Sequence, residues 1–132
     1  MITWESLGSF LVYFGVALGA EIVFIALYLA ITPHKEVKLI REGNVAASVS
    51  LAGAVIGFTL PLASVIIHSV SLIDMVIWSA IALVVQVIVF FVANLVLRGL
   101  SKKIEAGNNA AGVTVAAASL AIGIVNAASM SY

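Results

Sequence analysis

Four long apolar stretches dominate this chain of 132 residues and limit what it can fold into. They cover residues 7–31, 44–67, 73–97 and 108–130, with short polar segments between them. Each has roughly 20 or more residues, which at about 1.5 Å per residue is enough for a helix to cross a hydrocarbon core of about 30 Å. The chain is 64% hydrophobic and only 9% charged, a composition typical of membrane proteins. We therefore expect an all-α integral membrane protein with four transmembrane helices, forming a single membrane domain over residues 1–132.

A basic segment followed by a helix of small residues occurs twice, at a constant offset of 64 residues. The segment that starts at Lys38 reads KLIREGNVAASVSLAGA, and the one that starts at Lys102 reads KKIEAGNNAAGVTVAAA. A fixed internal period indicates a repeated building unit. The sequence therefore predicts two tandem, parallel two-helix repeats over about 7–67 and about 73–131.

All lysine and arginine side chains lie in two polar connectors, one after the first stretch and one after the third. They are Lys35, Lys38, Arg41, Arg98, Lys102 and Lys103. Cytoplasmic loops of membrane proteins carry an excess of such residues. We therefore expect both connectors to face the cytoplasm, and both termini to lie on the outer side of the membrane. The cations would also suit anionic lipid head groups.

Each connector contains a Gly-Asn pair. The pairs are Gly43-Asn44 and Gly107-Asn108. Glycine suits the position after a helix end, where φ is positive, and asparagine suits the N-cap of the next helix. We interpret each pair as the end of a short connector helix and the start of a membrane span. The connector helices are expected to begin at Thr32-Pro33 and at Ser101.

Small residues recur at helical spacing on three of the apolar stretches. They include Gly15 and Gly19 on the first, Gly53 and Gly57 on the second, and Ala117 and Ala121 on the fourth. In lipid, such faces allow helix backbones to approach closely. We expect these faces to pack against other helices of the same chain; a pore lining or a contact between subunits is the alternative.

Glu21 lies near the middle of the first stretch. A charged side chain there costs about 2.5–3.5 kcal/mol on insertion scales. No Lys, Arg or His lies at that depth, so we expect a neutral Glu21 that is hydrogen-bonded to a neighbouring helix, with Gln86 as the candidate partner. The alternatives are contact with water and a bound cation. Asn94 and Asn126 are further amides within the spans, and we expect them to link helices.

Residues suited to catalysis or metal binding are sparse. There is no cysteine, and the two histidines, His34 and His68, each have one acidic neighbour, Glu36 and Asp74. Two ligands are too few for a convincing metal site, so we interpret these residues as solvated surface groups. We find no nucleophile–base arrangement, no glycine-rich phosphate loop and no nucleic-acid patch. The sequence predicts neither an enzyme nor a cofactor, a metal site or a nucleic-acid partner.

Four motifs spread over essentially the whole chain resemble one known family. They are Ile31-Thr32-Pro33-His34 with Glu36, Asn44-x-Ala46-Ala47-Ser48, Asn109-Ala110-Ala111-Gly112, and Gly123-Ile124-x-Asn126-Ala127-Ala128. The family is the YjfL-like group of uncharacterised bacterial inner-membrane proteins, or domain of unknown function 350. The resemblance implies four helices from two tandem halves and a plasma-membrane location, and it assigns no catalytic residue. Genes of this family often lie beside those of phage-shock-protein-A-like peripheral proteins and ATP-grasp ligases, which implies a role in envelope maintenance.

Two functions fit these observations. The first is a non-enzymatic docking or structural component of an envelope-maintenance system, whose partners are the lipid bilayer and a cytoplasmic peripheral protein that resembles phage-shock protein A. The alternative is a small oligomeric channel or transporter that uses Glu21, together with Gln86 and a helix broken at Pro61. The sequence ranks an enzyme below both. A homo-oligomer is compatible with either function.

Overall fold

The computed structural model describes residues 2–130, which form helices and short connections without any strand. The helices are α1 (Trp4–Ile31), α2 (Glu36–Arg41), α3 (Val45–His68), α4 (Leu72–Val96), α5 (Leu100–Glu105) and α6 (Asn109–Ala128). Within this part of the chain α1, α3, α4 and α6 are long and apolar enough to cross a membrane, which confirms the predicted fold class. The tandem repeat stays a prediction. Met1, Ser131 and Tyr132, at the ends of the predicted domain, lie outside the described residues.

The starts of the four long helices are set by capping side chains. In each case an oxygen of the preceding residue accepts a hydrogen bond from a backbone N–H in the first turn. The capping residues are Thr3 for α1, Asn44 for α3, Ser71 for α4 and Asn108 for α6. A cap of this kind contributes about 1 kcal/mol, so these residues fix where each long helix begins.

The two short helices end in the same way. Gly43 has φ 85° and Gly107 has φ 79°, a conformation that favours glycine. The N–H groups of Gly43 and Asn44 donate to carbonyl groups in the last turn of α2, at 3.0 and 2.9 Å. Those of Gly107 and Asn108 do the same in α5, both at 2.9 Å. This is the Schellman motif. It agrees with the prediction that each Gly-Asn pair ends a connector helix and begins a membrane span.

The starts of the two short helices differ from the prediction. Thr32 closes α1 instead of opening α2, and its Oγ1 donates to the carbonyl of Leu29 at 3.3 Å. Ser101 lies inside α5, which is preceded by Gly99 at φ 71°. Both expectations fail for the same reason: the hydroxyl group that was expected to cap a helix is bonded to a partner elsewhere.

A close contact between α3 and α6 holds the bundle together. A Cβ atom added to Gly53 would overlap the backbone of Ala116, and one added to Gly57 would lie 2.6 Å from the carbonyl oxygen of Ser119. Because no side chain separates the helices here, their backbones pack directly and gain dispersion contacts.

Pro61 contributes to this contact and does not break the helix, since α3 runs without interruption from Val45 to His68. Proline has no N–H, so the carbonyl group four residues earlier, that of Gly57, receives no hydrogen bond from within the helix. Gly123 of α6 packs against that carbonyl, and a Cβ atom on Gly123 would collide with it. The predicted break at Pro61 is therefore wrong.

Four of the predicted small-residue positions do not lie in a contact between helices of this chain. Ala117 and Ala121 are exposed, because α6 turns the neighbouring residues Ala116 and Ser119 toward α3. Gly15 and Gly19 are also exposed, and a Cβ atom added to either would have nothing within 4 Å. The expectation that these faces pack against other helices of the same chain is therefore wrong for the first and fourth spans.

Helix α1 lies at the edge of the bundle and packs against α3 and α4 along one narrow face. The Phe24 ring stacks on Phe58 of α3 with ring centroids 4.6 Å apart, and Tyr28 meets Phe90 of α4 edge to face at 5.8 Å. Most other large side chains of α1 are exposed and apolar, as a surface in contact with lipid requires.

Candidate functional site

A chain of buried and half-buried polar side chains joins the two connectors at one end of the bundle. His34 Nε2 lies 2.8 Å from Glu36 Oε1, and His34 Nδ1 lies 3.0 Å from Ser101 Oγ, across 67 residues of sequence. His34 is 2% exposed and Glu36 is 1% exposed. We call these three residues the connector triad.

The local backbone explains how two residues of one connector reach this buried position. His34 and Glu36 are two positions apart, and Lys35 between them lies outside the helical region, with φ −85° and ψ 86°. The chain is therefore not helical at Lys35, and His34 and Glu36 are both buried while Lys35 is exposed.

A second hydrogen bond ties the same two parts of the chain together. Asn44 Nδ2 donates to the carbonyl of Ile104 at 2.8 Å, while Asn44 Oδ1 caps α3 by accepting from Ala47 N–H at 2.9 Å. Leu100 and Ile104 of α5 are fully buried beneath these contacts. The short helix α5 is thus held by polar contacts on one side and by apolar packing on the other.

The interpretation of His34 and Glu36 as solvated groups is wrong, because both side chains are buried. The spacing of His34 and Glu36 after Pro33 was visible in the sequence, but the partner on α5 was not. Glu36 Oε2 has no hydrogen-bond partner among residues 2–130 and is inaccessible to solvent. In the same part of the chain no group of three or more His, Cys, Asp or Glu could hold a metal ion. The other predicted surface acid, Asp74, is half-buried, and its Oδ2 accepts from the Val70 N–H at 3.1 Å.

The basic residues surround the connector triad. All six are exposed at the end of the bundle where α2 and α5 lie: Lys35, Lys38, Arg41, Arg98, Lys102 and Lys103. We call this surface the connector face. The exposed acids of the two connectors are Glu42 and Glu105, so positive charge is in excess on the connector face.

Glu21 is bonded to α3 and not to Gln86. The hydroxyl group of Thr59 lies 3.0 Å from Glu21 Oε2 and donates to it, and it also lies 2.8 Å from the carbonyl of Val55. Glu21 Oε1 is buried and has no hydrogen-bond partner among residues 2–130. Thr59 is exposed, so this carboxyl group lies at the outer edge of the cleft between α1 and α3. The expected Glu21–Gln86 pair is absent because Gln86 faces α6.

Gln86 and Asn126 form a small amide network between α4 and α6. Gln86 Nε2 donates to the carbonyl of Ser119 at 3.2 Å, and Asn126 Nδ2 donates to Gln86 Oε1 at 3.3 Å. Both residues are buried, so the network links two spans through groups that lipid could not satisfy. Asn94 is exposed near the end of α4, and the expectation that it links helices of this chain is wrong.

Comparison with known proteins identifies the family. The family model described as Domain of Unknown Function (DUF350) matches residues 1–130. The chain belongs to the DUF350 family. It is similar to the inner membrane protein YjfL of Escherichia coli strain K12, with 42% identity over 128 residues and 97% of each chain covered. The YjfL protein of Escherichia coli O157:H7 gives the same values. No solved structure matches the chain.

These findings confirm the family resemblance that the sequence motifs indicated. Both DUF350 relatives are named as inner membrane proteins, and the four apolar helices of this chain agree with that location. The chain is accordingly an integral membrane protein of the DUF350 family.

Proposed function

We propose that this DUF350 chain is a non-enzymatic docking component of the inner membrane, in which both connectors act together as one binding surface for a peripheral protein. The observation that carries the proposal is the connector triad, because it joins the connectors through the buried His34 and Glu36 and the half-buried Ser101. The bond from Asn44 to Ile104 holds them at a second point. A surface that is already fixed loses little conformational freedom when a partner binds.

The charge of the connector face favours an acidic partner. Its six cations are exposed, whereas Glu36 is buried in the connector triad. Complementary charge attracts a partner and sets its orientation on the surface. A phage-shock-protein-A-like partner and a role in envelope maintenance are what the family resemblance implies, and both belong to this proposal.

The geometry of the triad supports a fixed link more than a catalytic role. Serine, histidine and a carboxylate connected in this order also occur in hydrolases. Here, however, the side chains of His34 and Glu36 are fully inaccessible, and the Ser101 hydroxyl is turned toward the histidine. A substrate would have no path to the imidazole, so we infer that the triad holds the connectors together.

Photo-crosslinking in native membranes tests this function. Probes placed at Lys38 and Lys102 are expected to capture the same soluble protein, and a probe at Val70, beyond the opposite end of α3, is expected to capture none. Binding of that protein, once purified, should weaken as salt rises, because exposed charges are screened within about 8 Å at physiological ionic strength.

A pair of serine variants provides the matched control for this experiment. Ser101→Ala removes the partner of His34 on α5 and should lower capture at both connectors. Ser48→Ala changes an exposed serine near the start of α3 and should leave capture unchanged. Crosslinks that join only copies of this chain would contradict the docking function.

One observation favours the alternative, a small oligomeric channel or transporter. Glu21 lies in the cleft between α1 and α3, and its Oε1 is buried there without a hydrogen-bond partner among residues 2–130. Ionisable groups at membrane depth are candidates for an ion path. If the crosslinks join copies of the chain through α1 and α3, and no soluble protein is captured, this alternative takes precedence.

A further inference from the structure

A groove between α4 and α6 has no part in the docking function proposed above. It has a volume of about 450 Å³ and is lined by apolar side chains and by Thr114. The α6 side is formed largely by small residues, including Ala118 and Ala121. The small residues of α6 that do not face α3 thus form the floor of a groove that opens toward the membrane.

The length and position of the groove match one leaflet of a bilayer. On α4 the lining runs from Val85 to Leu97, and those twelve steps correspond to about 18 Å of helix. On α6 it runs from Thr114 to Ile122, which corresponds to about 12 Å. Half of the hydrocarbon core is about 15 Å thick. The groove therefore spans the leaflet next to the connectors and ends near the bilayer centre.

Positive charge lies where the groove reaches the membrane surface. Arg98 directly follows Leu97, the last residue of the lining, and Lys102 and Lys103 lie on the short helix that follows. All three cations are exposed, and Glu105 is the one acidic residue of this connector. A phosphate group at this mouth would meet cations on the side where an acyl chain enters the groove.

We propose that the groove between α4 and α6 binds one anionic phospholipid of the leaflet next to the connectors. An acyl chain lies along α4 and α6, and the phosphate group lies beside Arg98. The short side chains of Ala118 and Ala121 provide room for the chain, and the connector that follows α4 provides the preference for negative charge.

Native mass spectrometry of the full-length protein in mild detergent tests this site, with equimolar phosphatidylglycerol and phosphatidylcholine as probes. The wild-type protein is expected to retain one phosphatidylglycerol molecule in preference to phosphatidylcholine. Ala121→Leu fills the groove and should reduce retention about tenfold. Ala117→Leu adds the same group one turn away, at an exposed position outside the groove, and should retain lipid as the wild type does.

A second pair of variants tests the charge at the mouth without touching the bundle. Replacing Arg98 and Lys102 by glutamine should abolish the preference for phosphatidylglycerol, whereas replacing Lys35 and Lys38 by glutamine should keep it. The proposal is overturned if the wild type shows no preference, if Ala121→Leu binds like the wild type, if Ala117→Leu loses as much lipid as Ala121→Leu, or if both glutamine pairs act alike. A dimer that crosslinks through a cysteine at position 121 and excludes lipid would also overturn it.

Discussion

Gly123 has no room for a methyl group, because it packs against the carbonyl of Gly57 on α3. We predict that Gly123→Ala lowers the free energy of unfolding by about 1–3 kcal/mol, the usual cost of overpacking. This loss should appear even though alanine is the better helix former by about 1 kcal/mol. Gly19→Ala is the control, since nothing lies within 4 Å of the added atom, and it should leave stability unchanged or raise it. Unfolding in mixed detergent, followed by circular dichroism, measures both; equal effects would contradict the packing described for α3 and α6.

The number of hydrogen atoms available for hydrogen bonds around Glu21 indicates the protonation state of this carboxyl group within the membrane. The single hydroxyl hydrogen of Thr59 lies within reach of both the Val55 carbonyl and Glu21 Oε2, and it cannot serve both fully. A proton on Glu21 would complete the second bond. We therefore predict that Glu21 is neutral at pH 7 and that Glu21→Gln folds and assembles normally, because glutamine also carries a donor and an acceptor.

Infrared difference spectra between pH 5 and 9 check the protonation state of Glu21. A protonated carboxyl band that is absent from Glu21→Gln is expected at neutral pH. A carboxylate band at neutral pH that disappears in Glu21→Gln would reject the neutral form. That result would also strengthen the transport alternative.

At the scale of the helices, Asn44 and Asn108 form a natural comparison. Both cap a long helix, but among residues 2–130 only the Asn44 side chain also donates to α5, to the Ile104 carbonyl. Asn108→Ala should cost about 1 kcal/mol through the lost cap. Asn44→Ala should cost a further 0.5–1.5 kcal/mol or so, the usual net value of a hydrogen bond. The same detergent unfolding assay measures both variants, and equal losses would show that the bond from Asn44 does not stabilise the connectors.

The helices illustrate which features a sequence encodes locally. The four long helices lie close to the predicted stretches, because their length follows from apolar composition and their starts from capping residues such as Asn44 and Asn108. The starts of α2 and α5 were not predictable in this way. The hydroxyl groups of Thr32 and Ser101 have competing partners, and that of Ser101 is brought close only by the tertiary fold.

For the whole molecule, the sequence predicted the class of fold but not which faces meet. Nothing local distinguishes Ala116, which packs against α3, from Ala117, which is exposed, because both are alanines in an apolar helix. The connector triad was missed for a related reason: His34 and Ser101 are 67 residues apart, and only the tertiary fold brings them into contact. The exposure of the six cations was predictable, since isolated charges are costly to bury.

The fold adds a constraint on the orientation of the molecule in the membrane. The hydrogen bonds from His34 and Asn44 to α5 require both connectors to lie on the same side. The excess of lysine and arginine places that side in the cytoplasm.

Single cysteines at Lys38, Lys102 and Val70, all exposed positions, can be treated with an impermeant thiol reagent on intact cells. We expect labelling at Val70 alone, and at the other two positions only after the membrane is opened. Labelling of both connectors on intact cells would invert the topology and exclude a cytoplasmic docking partner, whereas labelling of one connector without the other would contradict the connector triad itself.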